Sequence, residues 1–114
     1  MRTRGIVSEA QDKSIIVLSG KITLPNIKEA HSTLLEVLDR DAPASIDIDG
    51  VTEADLSFVQ LIESARRTFA ERGRALSLRS AAGEAVLPVL RRGGFLDPSD
   101  PSTTSFWLKE GVQP

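Results

Sequence analysis

The side chains best suited to chemistry in this chain gather in one stretch, Ser45-Ile-Asp-Ile-Asp-Gly-Val-Thr-Glu-Ala-Asp55-Leu-Ser-Phe-Val-Gln-Leu-Ile62. Asp47, Asp49, Glu53 and Asp55 bring carboxylates to it, and Thr52 and Ser57 bring hydroxyls. Clustered carboxylates invite a hard cation. Here, however, Asp47 and Asp49 alternate with Ile46 and Ile48, as wet-face residues of a strand do, and oxygen-ligand loops usually concentrate more donors. No metal is expected. Ser57 stands where the first turn of a helix should lie, and an anion placed there is favoured by the helix amides, so Ser57 is a candidate phosphoacceptor. Asp49, Glu53 and Asp55 crowd the same edge and oppose that added charge. Asp55 itself suits the helix cap, a role that contributes about 1 kcal/mol. His31, the one histidine, falls among Ala30, Ser32 and Thr33 with no nucleophile or acid motif beside it, so no catalytic residue and no enzyme activity are expected. Neither G-x-G-x-x-G nor G-x-x-x-x-G-K-[ST] occurs, and no cofactor is expected.

The elements that must position these residues follow from periodicity. Gly5–Ser8 and Lys13–Ser19 read as two strands joined by the turn-prone Gln11-Asp12-Lys13. From about Pro25 to Arg40, Ile27, Ala30, Leu34, Leu35 and Leu38 fall at helical spacing, with Pro25 in the first turn. Ala44–Asp49 alternates strictly, a strand expected to pass into a short loop at Gly50–Ala54. A second helix follows, capped by Thr52 or Asp55, with Leu56, Phe58, Val59, Leu61, Ile62, Ala65 and Phe69 as its apolar face and Gly73 as its stop. Ala75–Arg79 reads as a strand and Gly83–Arg92 as a third helix that Pro88 forces to begin late or bend. Asp97–Thr104 reads as a loop and Ser105–Leu108 as a short last strand. Strict alternation means one buried and one wet sheet face, which places the helices mainly on one side. The expected fold class is α/β, a mixed sheet of about five strands with helices mainly on one face, in a single domain over residues 1–114.

Composition narrows the function. The chain has 114 residues, 40% hydrophobic and 26% charged, the balance of a globular domain. A net charge of −2 argues against a nucleic-acid partner. No apolar run approaches a membrane span and residues 1–10 lack a secretion signal, so no direct membrane insertion is expected. With no cysteine, a reducing compartment and hence a cytoplasmic location are the default.

Leu18-Ser-Gly20 before a polar loop and helix, Ile46-Asp-Ile-Asp-Gly-Val-Thr-Glu-Ala-Asp55 before the second helix, Leu76-Ser-Leu78 and Gly93-Gly-Phe-Leu96 stand in an order that resembles the STAS domain, named for sulfate transporters and anti-sigma-factor antagonists. The resemblance covers nearly the whole chain. It implies a non-enzymatic, bacterial regulatory module that takes part in signal transduction by partner switching. It docks a protein, often a serine kinase that doubles as an anti-sigma factor, and is turned off by phosphorylation at the N-terminus of the second helix. Carried onto this sequence, the partner-binding residues are Thr52, Glu53, Asp55, Leu56, Ser57 and Phe58. The family reads Asp, Ser or Thr, Ser or Ala, then Gly; here Asp55 is followed by Leu56, Ser57 and Phe58. Leu56 on the acceptor position supports the alternative, an accessory subunit of a membrane (ABC) transporter that docks an ATPase subunit without a phosphoswitch.

Overall fold

The structure, a computed structural model, describes residues 6–10, 13–40 and 42–109. Strands β1 (Ile6–Ala10), β2 (Lys13–Ile22), β3 (Ala44–Ala54) and β4 (Leu76–Leu78) form one sheet in the order β1-β2-β3-β4. β1 runs antiparallel to β2, whereas β2, β3 and β4 are mutually parallel. Parallel neighbours need crossovers. Helix α1 (Ile27–Leu38) supplies the first and α2 (Leu56–Glu71) the second. The short helix α3 (Leu87–Arg92) and α4 (Pro101–Leu108) complete the chain. Gly5 and the Gln11-Asp12 turn lie outside the described residues.

Register across the sheet puts Ile16, Ile46 and Leu78 side by side, all essentially without exposure, and Leu18 and Ile48 are buried with them. The alternating residues Ile15, Val17, Asp47 and Ser77 are only half-buried. One face therefore carries the core, under Leu34, Val37 and Leu38 of α1 and Phe58, Val59, Ile62 and Phe69 of α2. At about 25 cal/mol per Å² of apolar surface removed from water, these side chains hold both helices to the sheet. The mixed sheet has four strands, not the expected five.

The missing strand is α4. Asp97–Thr104 and Ser105–Leu108, read as loop and strand, are corrected: Asp100 caps a helix that begins on Pro101, its carboxylate accepting from the Thr103 amide at 3.2 Å and hydroxyl at 3.0 Å. Aspartate followed by proline is a helix start as much as a turn, and packing decided between them. Trp107 is fully buried and donates its indole N–H to Glu63 of α2 at 2.7 Å, while Phe106 lies half-buried under the Arg66 guanidinium.

β3 also runs further than its alternation indicates. Ser19 faces Gly50 and Lys21 faces Glu53, with one register shift between Val17 and Ser19 and a second between Gly20 and Lys21. Each shift places an extra residue in β3, so the buried position after Ile48 is Val51, and Thr52 and Glu53 are both exposed. Such bulges break period two without ending a strand. The Gly50–Ala54 loop is thus a bulged strand end. Gly50 is required at the close approach, because a Cβ there would lie 2.9 Å from the Ser19 Cβ.

Two helix ends follow the sequence closely. Gly73, at φ +72, closes α2: its amide reaches the Ala70 carbonyl at 2.9 Å and the Arg74 amide reaches that of Phe69 at 2.9 Å, the paired bonds of a Schellman end. Pro88 delays α3 until Leu87. No described helix is long and apolar enough to cross a membrane.

Candidate functional site

Asp55 leaves β3 with extended backbone and caps α2. Its two carboxylate oxygens do different work. Oδ1 accepts from the Ser57 amide at 3.0 Å, the Phe58 amide at 3.4 Å and the Ser57 hydroxyl at 2.5 Å. Oδ2 accepts from the Leu24 amide at 2.9 Å, on a segment 31 residues away in sequence. One side chain thereby ties the 3-10 turn Leu24–Asn26 to the start of α2. Desolvation alone would raise the Asp55 pKa. The hydrogen bonds from the Ser57 hydroxyl and from the Leu24, Phe58 and Ser57 amides outweigh it and hold the carboxyl below its ordinary range.

The turn is braced on its other side, where the Thr23 amide donates to Asn26 Oδ1 at 2.7 Å. Leu24 is 67% exposed on this turn, and Leu56, the first residue of α2, is 45% exposed. Three large apolar side chains are exposed among the described residues: Leu24, on the turn whose amide bonds Asp55; Leu56, the residue after Asp55; and Leu35, on α1. Thr52 and Glu53 are exposed at the end of β3, and Ser57 is half-buried. The end of β3, the Leu24–Asn26 turn and the first turn of α2, joined through Asp55, form a ledge that carries these residues.

Phe58 does not belong to it. It has no exposed surface, so its assignment as a partner-binding residue is corrected. Residues 56 and 58 stand about 200° apart around a helix, and an outward Leu56 turns Phe58 inward among Val59 and Ile62. Leu24 was missed. The signal available was a leucine directly before Pro25 that falls outside the helical spacing of Ile27, Ala30 and Leu34.

The remaining candidates are placed elsewhere. Asp47 lies 4.0 Å from Arg79 on the open sheet face, and Asp49 accepts from the Ser80 hydroxyl at 2.8 Å. His31 is exposed on α1. Glu63 is engaged by Trp107 and by Arg66 at 3.3 Å, and Arg66 reaches Thr103 Oγ1 at 3.1 Å, so this polar cluster binds α4 to α2.

Residues 6–97 match the family described as "Mlab, STAS domain", which takes in every strand, α1 to α3 and the whole ledge. The chain belongs to the STAS domain family. Solved structures agree with this fold at low identity. The crystal structure analysis of Mglu matches at TM-score 0.59 and 16% identity, over 66% of this chain and 19% of that one. The overall structure of SLC26A9 matches at TM-score 0.68 and 14% identity, over 88% of this chain and 19% of that one. This STAS domain thus spans about a fifth of each of those chains. Among the curated proteins none matches. Helix α4 lies beyond the matched residues.

Proposed function

We propose that this STAS domain is a non-enzymatic docking module that grips a protein partner through the ledge of Leu24, Thr52, Glu53 and Leu56. The observation that carries the reading is that Leu24 and Leu56 are both exposed on the two segments that the Asp55 carboxylate ties together. Exposed apolar groups held rigid and rimmed by polar ones mark interaction surfaces. The preferred partner is an ATPase subunit of a membrane transporter, engaged in the cytoplasm without a phosphoswitch. Two features support that choice over the serine-kinase or anti-sigma reading. Leu56 offers an apolar contact at the position where the family's acceptor stands. The Ser57 hydroxyl is already bonded to Asp55 at 2.5 Å. Phosphorylation would break that bond and set about −1.5 to −2 of charge against the Asp55 carboxylate.

The kinase or anti-sigma reading keeps one observation in its favour: Ser57 lies in the first turn of a 16-residue helix and is only half-buried. A photo-crosslinking residue at position 56 of the protein in its own cells separates the two, with exposed Arg92 as the control position. A transporter ATPase crosslinked from position 56, with Ser57 unmodified by mass spectrometry, is the expected result. A kinase or anti-sigma factor crosslinked there, with phosphate on Ser57, establishes the second reading. No crosslink from position 56 above that from position 92 refutes the ledge as a docking surface.

A further inference from the structure

We propose that the partner segment seated on this ledge is amphipathic, with an apolar face flanked by lysine or arginine. The inference rests on the docking reading above and adds the chemistry of the partner.

The argument is one of charge complementarity. From Asp47 to Ser57 the chain carries four carboxylates, Asp47, Asp49, Glu53 and Asp55, and no lysine or arginine. The neighbouring strand segments supply two cations, Lys21 in register with Glu53 and Arg79 beside Asp47, so the edge keeps a formal charge of −2 (two positive against four negative). The Asp55 charge is spent inward on four donors. Asp49 is partly engaged by Ser80. Glu53 differs: it is exposed and has no hydrogen-bond or ion-pair partner among the described residues. It stands three residues from Leu56 in the chain, and the strand pairing next to its own, Ile22 with Ala54, leads to Leu24 on one side and Asp55 on the other. An exposed carboxylate at the strand end that leads, through Asp55, to two exposed leucines complements a segment that presents both an apolar face and a cation. The same charge disfavours an anionic lipid surface, which repels a negative rim even where leucines are available to insert. Rim charges act mainly on association rate and salt dependence, and the leucines on residence time.

The test uses the full chain, isotope-labelled for amide NMR, with two synthetic helical peptides, one of leucine and lysine and one of leucine and glutamate. Phosphatidylglycerol vesicles form a third arm. The expected result is that the Leu/Lys peptide shifts the amides of Leu24, Glu53 and Leu56 and the Leu/Glu peptide does not. Glu53→Lys should weaken the Leu/Lys peptide roughly 3- to 10-fold at low salt, an effect that fades as salt rises. Leu56→Ser should weaken it with little salt dependence. Both positions are exposed, so both variants should stay folded, with melting temperatures within a few degrees of wild type. Equal binding of the two peptides, no binding of either, shifts confined to another surface, or vesicle binding that depends on Leu24 and Leu56 would each overturn the inference. The failures are distinguishable: a partner crosslinked from position 56 and indifferent to Glu53→Lys sinks the charge argument alone, whereas no crosslink sinks the docking reading beneath it.

Discussion

Replacing Asp55 by asparagine and by alanine separates the two oxygens of one carboxylate. Asparagine is as good a helix cap as aspartate, and its carbonyl oxygen takes over the Oδ1 bonds to the Ser57 and Phe58 amides. Its amino group then occupies the Oδ2 position, where it faces the Leu24 N–H, donor against donor. Asp55→Asn therefore loses the Leu24 bond and keeps the cap. That bond is charge-assisted but solvent-exposed, so its loss costs about 0.5–1 kcal/mol. Alanine removes the cap as well, a further 1 kcal/mol or so, for a total of about 2 kcal/mol. Urea titration should show the midpoints in the order wild type, Asp55→Asn, Asp55→Ala with an unchanged slope. At roughly 4 °C per kcal/mol for a domain near this size, the alanine variant should melt about 8 °C lower. Amide hydrogen exchange provides the decisive readout. Asp55→Asn should deprotect Leu24 while leaving Ser57 protected, and Asp55→Ala should deprotect both, whereas Phe58, which also donates to the Asp55 backbone carbonyl at 3.1 Å, should stay protected in each. If Asp55→Asn leaves Leu24 exchange unchanged, or loosens the Leu24 and Ser57 amides together, the division of labour between the oxygens is wrong.

Further outcomes follow from the same geometry. The depressed Asp55 pKa means its contribution is fully present above the unfolded value of 3.8 and is lost as pH falls through the lower folded value. The stability gap between wild type and Asp55→Asn should accordingly close under acid unfolding; a gap that widened below pH 3.8 would reverse the assignment. Phe58→Ala empties a fully buried site and should cost about 3–5 kcal/mol in a urea titration, whereas Leu56→Ala, on the exposed side of the same turn, should cost under about 1. Trp107→Phe keeps an aromatic ring in place but strands Glu63 without its indole donor, at about 1–2 kcal/mol; an unaffected melting curve would mean that α4 contributes little to the fold. Gly50→Ala forces a Cβ to 2.9 Å from Ser19 and should cost about 1–3 kcal/mol, a strain that Ser19→Gly relieves in the double variant.

Local interactions explain what could be read from residue order alone. Capping by Asp55, the Gly73 stop, the late start of α3 at Pro88 and the apolar stripe of α2 each depend on neighbours within about one helical turn, so the sequence carries them in full. Together with the strand–helix alternation they determined the helices of the β2–β4 core, the sheet's single buried face and the family. Other features depend on who packs against whom. The two extra residues in β3 are visible only when Lys21 is found opposite Glu53, because a bulge is a relation between strands. The Asp100-Pro101 pair permits a turn or a helix, and the burial of Trp107 against Glu63 selected the helix. Tertiary structure also made the ledge. Leu24 and Asp55 are 31 residues apart, and a carboxylate that caps one element announces nothing in sequence about the second segment its other oxygen holds. Period and propensity act along the chain, whereas a shared hydrogen bond between distant segments exists only after the sheet has brought their ends together.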